Sequence, residues 1–299
     1  MNVNVIGVPL YYGSDKKGVD LGPNKIRDNN LMDILNKYNH NSYDLGNIFV
    51  PPISDEDKFL FHNKMKFLDP IVNVNTNLAE EVYNSLNSGN FPFVIGGDHS
   101  LGLGSISGAS KFYNNLAVIW VDAHGDINTD KTTNSGNVHG MPLAGAMGIG
   151  SPDLVNIYYS GIKVKPENVF IVGARDLDEG ELKLISNKNL NVYSTSDIKK
   201  NGIANIMKSI NEKLIENDIK AVHLSFDIDC IDKSLVPGTG TPVSNGMSIE
   251  EGEYLIEYLM KSKLVKSMDL VEFNPLLDKD DETLHVVMNL IDCIFKNMK

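Results

Sequence analysis

Short apolar runs alternate with amphipathic ones along nearly the whole chain. Residues 3–8, 91–95, 116–121, 168–172, 221–226 and 264–271 are brief, rich in β-branched or aromatic side chains, and bounded by polar residues or glycine. They read as buried strands. Weaker strand signals sit at 42–45 and 191–193. Between these runs, apolar residues recur at helical spacing over 23–35, 75–86, 203–215, about 249–261 and 281–295. Pro23 stands near the start of the first helix, and Ser248-Ile-Glu-Glu251 has the form of a capping box. The Pro-rich and acidic stretch 49–57 reads as one excursion loop. The alternation predicts an α/β domain with a mostly parallel sheet covered by helices on both faces. With no internal repeat, low-complexity tract or linker in view, residues 1–299 are expected to form one domain. Ligands of such folds gather beyond the carboxyl ends of the strands.

Those strand ends carry the candidate chemistry. The run Leu116–Val121 leads directly into Asp122-Ala-His124-Gly-Asp126. If the chain stays extended there, the side chains of Asp122, His124 and Asp126 leave on one side and converge. The run 221–226 leads into Asp227-Ile-Asp229, again two carboxylates of matching parity. The run 91–95 ends in Gly96-Gly-Asp98-His99, where the glycines let the backbone turn tightly. A lone Asp after a strand is ordinarily a helix cap or turn residue, and a lone His a satisfied core or surface group. Three strand ends with compatible ligands point instead to a metal site. His99, Asp122, His124, Asp126, Asp227 and Asp229 are four carboxylates and two imidazoles without thiolate, a set suited to Mn²⁺ and less to Zn²⁺ or Fe²⁺. One ion would not use six ligands and keep a position open. Two ions about 3.5–4 Å apart, bridged by carboxylates, would use them all.

Charge and cysteine content narrow the function further. A net charge of −12 argues against nucleic acid or an anionic membrane as partner. No segment has the length of a membrane span or the form of a targeting signal, so a cytoplasmic protein is expected. The 2 cysteines, Cys230 and Cys293, cannot form a disulfide framework and read as buried thiols. Cys230 has opposite parity to Asp227 and Asp229 and should point away from the metals.

Gly96-Gly-Asp-His99, Asp122-Ala-His-Gly-Asp-Ile-Asn-Thr129, Ser135-Gly-Asn-Val-His-Gly140 and Ser225-Phe-Asp-Ile-Asp229 together resemble the ureohydrolase family, which includes arginases and agmatinases. The resemblance runs from Lys17-Gly-Val-Asp-Leu-Gly-Pro23 to Val271-Glu-Phe-Asn-Pro275. It implies a three-layer α/β/α fold around an eight-stranded parallel sheet, two Mn²⁺ ions per subunit, and a homotrimer or homohexamer. It further implies that His99, Asp122, Asp126 and Asp227 hold one ion. Asp122, His124, Asp227 and Asp229 would hold the other. Catalytic roles fall to Asp126, to His139 as proton shuttle and to Glu272, which would pair with the substrate guanidinium. Thr241 matches a hydroxyl position beside the same pocket.

The substrate implied is L-arginine, hydrolysed to L-ornithine and urea by a metal-bridging hydroxide. The positions of Asn128, Ser135 and Asn137 match those that receive an α-carboxylate in arginases, and Asp178 matches the residue facing the α-ammonium. Agmatine lacks the carboxylate and would leave these donors without purpose; an agmatinase, or a ureohydrolase of another guanidino compound, is the alternative. A non-catalytic binding or regulatory relative is a second, but it predicts a broken ligand set. Lys233 departs from the family, which usually has Pro there.

Overall fold

The computed structural model describes residues 1–298. Eight parallel strands form one sheet: β1 (Asn2–Val8), β2 (Asn41–Asn47), β3 (Phe91–Gly96), β4 (Leu116–Val121), β5 (Val169–Val172), β6 (Asn191–Tyr193), β7 (Ala221–Asp227) and β8 (Val265–Val271). Their spatial order is β2-β1-β3-β8-β7-β4-β5-β6. Helices cover both faces, and each face has its own apolar core. On one face Val5, Phe93, Ile119, Phe226 and Leu270 meet helices Ile203–Glu216, Ile249–Ser262 and Glu282–Asn297. On the other, Ile6, Val94, Val118, Trp120 and Ile171 meet helices Leu68–Asn87 and Gly102–Phe112. Strands buried on both faces need apolar residues at every position, which is why they read as continuous runs.

Chain direction across the sheet switches in its middle. The chain builds β1 to β3 on one side, β4 to β6 on the other, then fills the gap with β7 and β8. The carboxyl ends of β3, β8, β7, β4 and β5 therefore stand side by side, at the crevice where such sheets bind ligands.

Several expected elements differ. The helix expected over 23–35 is two, Gly22–Asp28 and Leu31–Lys37, because Asn30 adopts φ 67° and breaks the hydrogen-bond ladder. The helix expected from residue 75 begins at Leu68, since Pro70 falls in the first turn, where its missing N–H costs nothing. Helices Gly102–Phe112 and Glu179–Lys188 had no counterpart in the periodicity reading. No helix among the described residues is long and apolar enough to cross a membrane.

Candidate metal centre

The ligand candidates converge, though not by strand alternation. β4 stops at Val121, and residues 122–126 turn, with Asp126 at φ 51°. Likewise Asp227 N-caps a 3₁₀ turn, Ile228–Cys230, and accepts from Asp229 N at 2.8 Å. The extended backbone expected over 122–126 and 227–229 is therefore not what brings these side chains together. Tight turns, not pleating, aim these carboxylates inward. Cys230 is buried in the apolar core, turned away as expected.

His99 Nδ1 lies 2.8 Å from Asp122 Oδ2, 3.2 Å from Asp227 Oδ2 and 3.3 Å from Asp126 Oδ2. His124 Nδ1 lies 3.3 Å from Asp122 Oδ1 and 3.2 Å from Asp229 Oδ2. The two clusters, His99-Asp122-Asp227 and Asp122-His124-Asp229, share Asp122. Two ligand atoms each about 2.1 Å from a common ion at right angles stand about 3 Å apart. The observed separations match that spacing, so the donor set fits a pair of divalent cations.

The electrostatics agree. Burial and the neighbouring Asp229 and Asp122 push Asp227 well above the usual carboxylate range. Burial and Asp122 push Asp126 up to about 6. Burial opposes charge on both imidazoles, but the facing carboxylates win and raise His99 and His124 above their usual value. Asp122, although buried, is held low by hydrogen bonds from His124 and His99. Cations in the cluster would take over the role of these protons.

Beneath His99 lies a polar chain that the sequence reading missed. His99 Nε2 is 2.9 Å from Ser225 Oγ, which donates to Asp269 Oδ2 at 3.3 Å. Asp269 Oδ2 also accepts from Ser105 Oγ at 2.6 Å and lies 3.0 Å from His223 Nε2. Because Ser225 gives its proton to Asp269, it accepts from His99 Nε2, which leaves the Nδ1 lone pair for a metal. Trp120 stacks on the His99 ring at 3.8 Å and donates from Nε1 to Asp122 Oδ2 at 3.0 Å. The missed signal was polar residues at alternate positions in otherwise apolar strands: His223 and Ser225 in β7, Ser267 and Asp269 in β8.

The cluster opens into a cleft of about 230 Å³ lined by His124, Asp126, Asn128, His139, Asp178, Glu181 and Thr241 among others. That is smaller than the roughly 300–1,000 Å³ of drug-sized pockets and suits a small molecule. His139 Nδ1 lies 3.1 Å from Glu272 Oε1, which also accepts from His99 N at 2.9 Å. Burial works against the His139 proton, but Glu272 outweighs it and raises His139 to about 9. Glu272 follows β8 at φ 64°, its backbone N–H donates to Gly97 O, and the residue is 1 % exposed. Such left-handed backbone at a non-glycine residue concentrates at functional sites. Thr241 Oγ1 donates to Asp229 Oδ2 at 3.0 Å and so supports a candidate ligand.

Asp178 both N-caps helix Glu179–Lys188 and faces the cleft. Its Oδ1 accepts from Glu181 N at 3.0 Å, its Oδ2 from Asn128 Nδ2 at 2.7 Å. Glu181, its capping-box partner, is a cleft residue absent from the sequence-derived candidates. Burial and Asp126 raise it to about 7. The box pattern Asp178…Glu181 was its visible signal. Ser135 and Asn137 lie in the loop before His139 and do not line the cleft wall directly. Lys233 keeps its loop by a different means: its N–H donates to Val243 O at 3.3 Å, which Pro could not do.

Comparison with known proteins matches residues 1–296 to the Arginase family. An arginase of Staphylococcus aureus (strain COL) is 42% identical over 296 residues, covering 98% of this chain and 96% of that protein. The crystal structure of arginase from Bacillus caldovelox superposes with a TM-score of 0.93 at 37% identity, covering 98% of both chains. That of Entamoeba histolytica arginase, in complex with L-ornithine, gives 0.90 at 35% identity over 98% of this chain and 97% of that one. The chain belongs to the arginase family, and it is a ureohydrolase.

Proposed function

We propose that the protein hydrolyses L-arginine to L-ornithine and urea with two Mn²⁺ ions per chain. One observation carries the choice of substrate: Asn128 and Asp178, matched to the carboxylate and ammonium ends of an α-amino acid, sit side by side in the wall of the cleft that opens on the metal ligands. His99, Asp122, Asp126 and Asp227 would hold one ion, and Asp122, His124, Asp227 and Asp229 the other. When bound, such a pair supplies a water ionised at neutral pH to attack the guanidinium carbon. Glu272 Oε2 takes no hydrogen bond from the described residues and is left for the guanidinium. His139, tied to Glu272 Oε1, holds the proton that the departing amine of ornithine needs. Asp126 stabilises charge at the reacting carbon, and Thr241 steadies Asp229. Asp178 would face the α-ammonium and Asn128 the α-carboxylate, with Ser135 and Asn137 serving that end of the substrate from the loop behind the cleft wall. The family resemblance adds a homotrimer or homohexamer, one domain per chain, and a cytoplasmic setting.

The test is urea release by Mn²⁺-loaded protein from arginine and from agmatine in parallel. Arginine is expected to be the faster substrate. Faster turnover of agmatine would overturn the substrate assignment while leaving the ligand set intact.

A further inference from the structure

The turns that aim the candidate ligands leave main-chain carbonyls outside any strand or helix ladder, and such groups need donors when buried. On one half of the centre a single side chain supplies them. The Arg175 guanidinium donates from Nη2 to Asp229 O at 2.7 Å, Val243 O at 2.9 Å and Ile231 O at 3.3 Å. Nη1 donates to Cys230 O at 3.2 Å and Gly173 O at 3.3 Å, and Nε to Ser244 O at 3.1 Å. Every one of these partners is a main-chain oxygen. The planar fork thus acts by shape, gathering the turn 229–231 and the loop at 243–244, just beyond Thr241.

The backbone beside that side chain grips a further segment. Arg175 N and Asp176 N both donate to Ala123 O, at 2.8 Å and 3.0 Å. Ala123 stands between Asp122 and His124, and its own N–H donates to Asp229 Oδ1 at 3.2 Å. Asp229 Oδ2 in turn lies 3.2 Å from His124 Nδ1 and accepts from Thr241 Oγ1 at 3.0 Å. Arg175 therefore joins the segments that carry His124, Asp229 and Thr241. Among the described residues, none of its hydrogen bonds reaches His99, Asp126 or Asp227. The His99 ring is held instead by Ser225 at its Nε2 and Trp120 on its face. The two clusters meet in Asp122 yet rest on different supports.

We propose that Arg175 is a positioning residue that sets the affinity of the His124–Asp229 half of the centre for its cation, separately from the His99 half. The inference rests on the reading of a two-ion centre and deepens it. A cation between His124 Nδ1 and Asp229 Oδ2 needs both atoms held in place at once, and hydrogen bonds one layer behind the ligands do that. Lysine cannot stand in for the fork, because its three donors share one nitrogen and cannot span carbonyls on separate segments.

The test compares Mn²⁺ binding by wild type, Arg175→Lys and Arg175→Met, each stripped and then titrated. Equilibrium dialysis counts the ions, electron paramagnetic resonance separates exchange-coupled pairs from isolated ions, and Trp120 fluorescence follows the half at His99. In both variants the ion at the His124 half should bind about tenfold more weakly or worse, while the other changes less than about threefold. At intermediate Mn²⁺, isolated ions should then replace the pairs that wild type forms. Arg175→Lys, which keeps the charge and most of the stem, carries the test if Arg175→Met does not fold. Equal weakening of both ions would make Arg175 a general support of the fold and overturn the proposal. So would wild-type affinity at both halves in Arg175→Lys. A wild type that never takes up a second ion would overturn the two-ion reading instead, a separate and recognisable result.

Discussion

At the residue scale, protons and divalent cations compete for the same atoms. His99 and His124 are held protonated by facing carboxylates, and Asp126 and Asp227 are driven toward protonation by burial and by each other's neighbours. Orientation of the imidazole decides how well a metal wins. Ser225 fixes the His99 tautomer, so Ser225→Ala should weaken metal binding at the His99 cluster about tenfold while two ions still bind at saturation. Trp120, the single tryptophan of the chain, stacks on His99 and reports the titration by fluorescence. Unchanged affinity would show that the chain beneath His99 only fills space. His139 gives a second prediction. Its folded pKa, about 9, lies above its ordinary 6.5 because of Glu272. The native state therefore binds the proton more tightly, and the stabilisation is full below pH 6.5 and lost as pH rises through 9. In metal-stripped protein, the stability advantage of wild type over His139→Asn should shrink between pH 6 and pH 9.5 in urea unfolding. An advantage that grows over that range would contradict the pairing with Glu272. The candidate metal ligands were legible because their residue types and spacing are rare together. Ser225, Asp269 and Glu181 were not, because each reads singly as an ordinary strand or cap residue.

At the scale of elements, local preference and tertiary demand disagree in instructive places. Helix Gly102–Phe112 escaped the periodicity reading because Gly102, Gly104 and Gly108 interrupt its apolar stripe and lower its helix propensity. The glycines are there for close packing: a Cβ at Gly108 would stand 2.3 Å from Ala79 O, and one at Gly104 2.6 Å from Asn75 O. Two effects therefore oppose each other in Gly108→Ala. Helix propensity favours alanine by about 1 kcal/mol, while forcing helices apart costs about 1–3 kcal/mol. The clash is with backbone, which cannot swing aside, so net destabilisation of about 1–2 kcal/mol is expected in thermal or urea unfolding. A stabilised variant would mean the two helices have room to spare. Asn30 is the converse case, where one residue at φ 67° splits a helix whose apolar spacing continues across the break. Arg175 shows what spacing cannot reveal: its guanidinium donates to the carbonyls of Gly173, Asp229, Cys230, Ile231, Val243 and Ser244, tying the turn of Asp229 to the loop beyond Thr241.

At the scale of the molecule, the sheet order assembles a site that no single segment contains. β3, β4, β7 and β8 deliver His99, Asp122, Asp227 and Glu272 to one crevice, although they lie up to 173 residues apart in sequence. The alternation of strands and helices made the layer architecture and the parallel sheet legible, since buried parallel strands leave a continuous apolar trace. Strand order was not legible from that trace, because every central strand carries the same one; only the structure gives it. Clustering four carboxylates and two imidazoles at one point is costly for the fold unless cations bind there. The metal content of the purified chain, stripped, reloaded with Mn²⁺ and freed of excess, tests this most directly. Two ions per chain are expected, falling below two in Asp122→Asn, which removes a charge from the carboxylate that both clusters share. A wild type that retains no divalent ion at any Mn²⁺ concentration would contradict the assignment of these six residues.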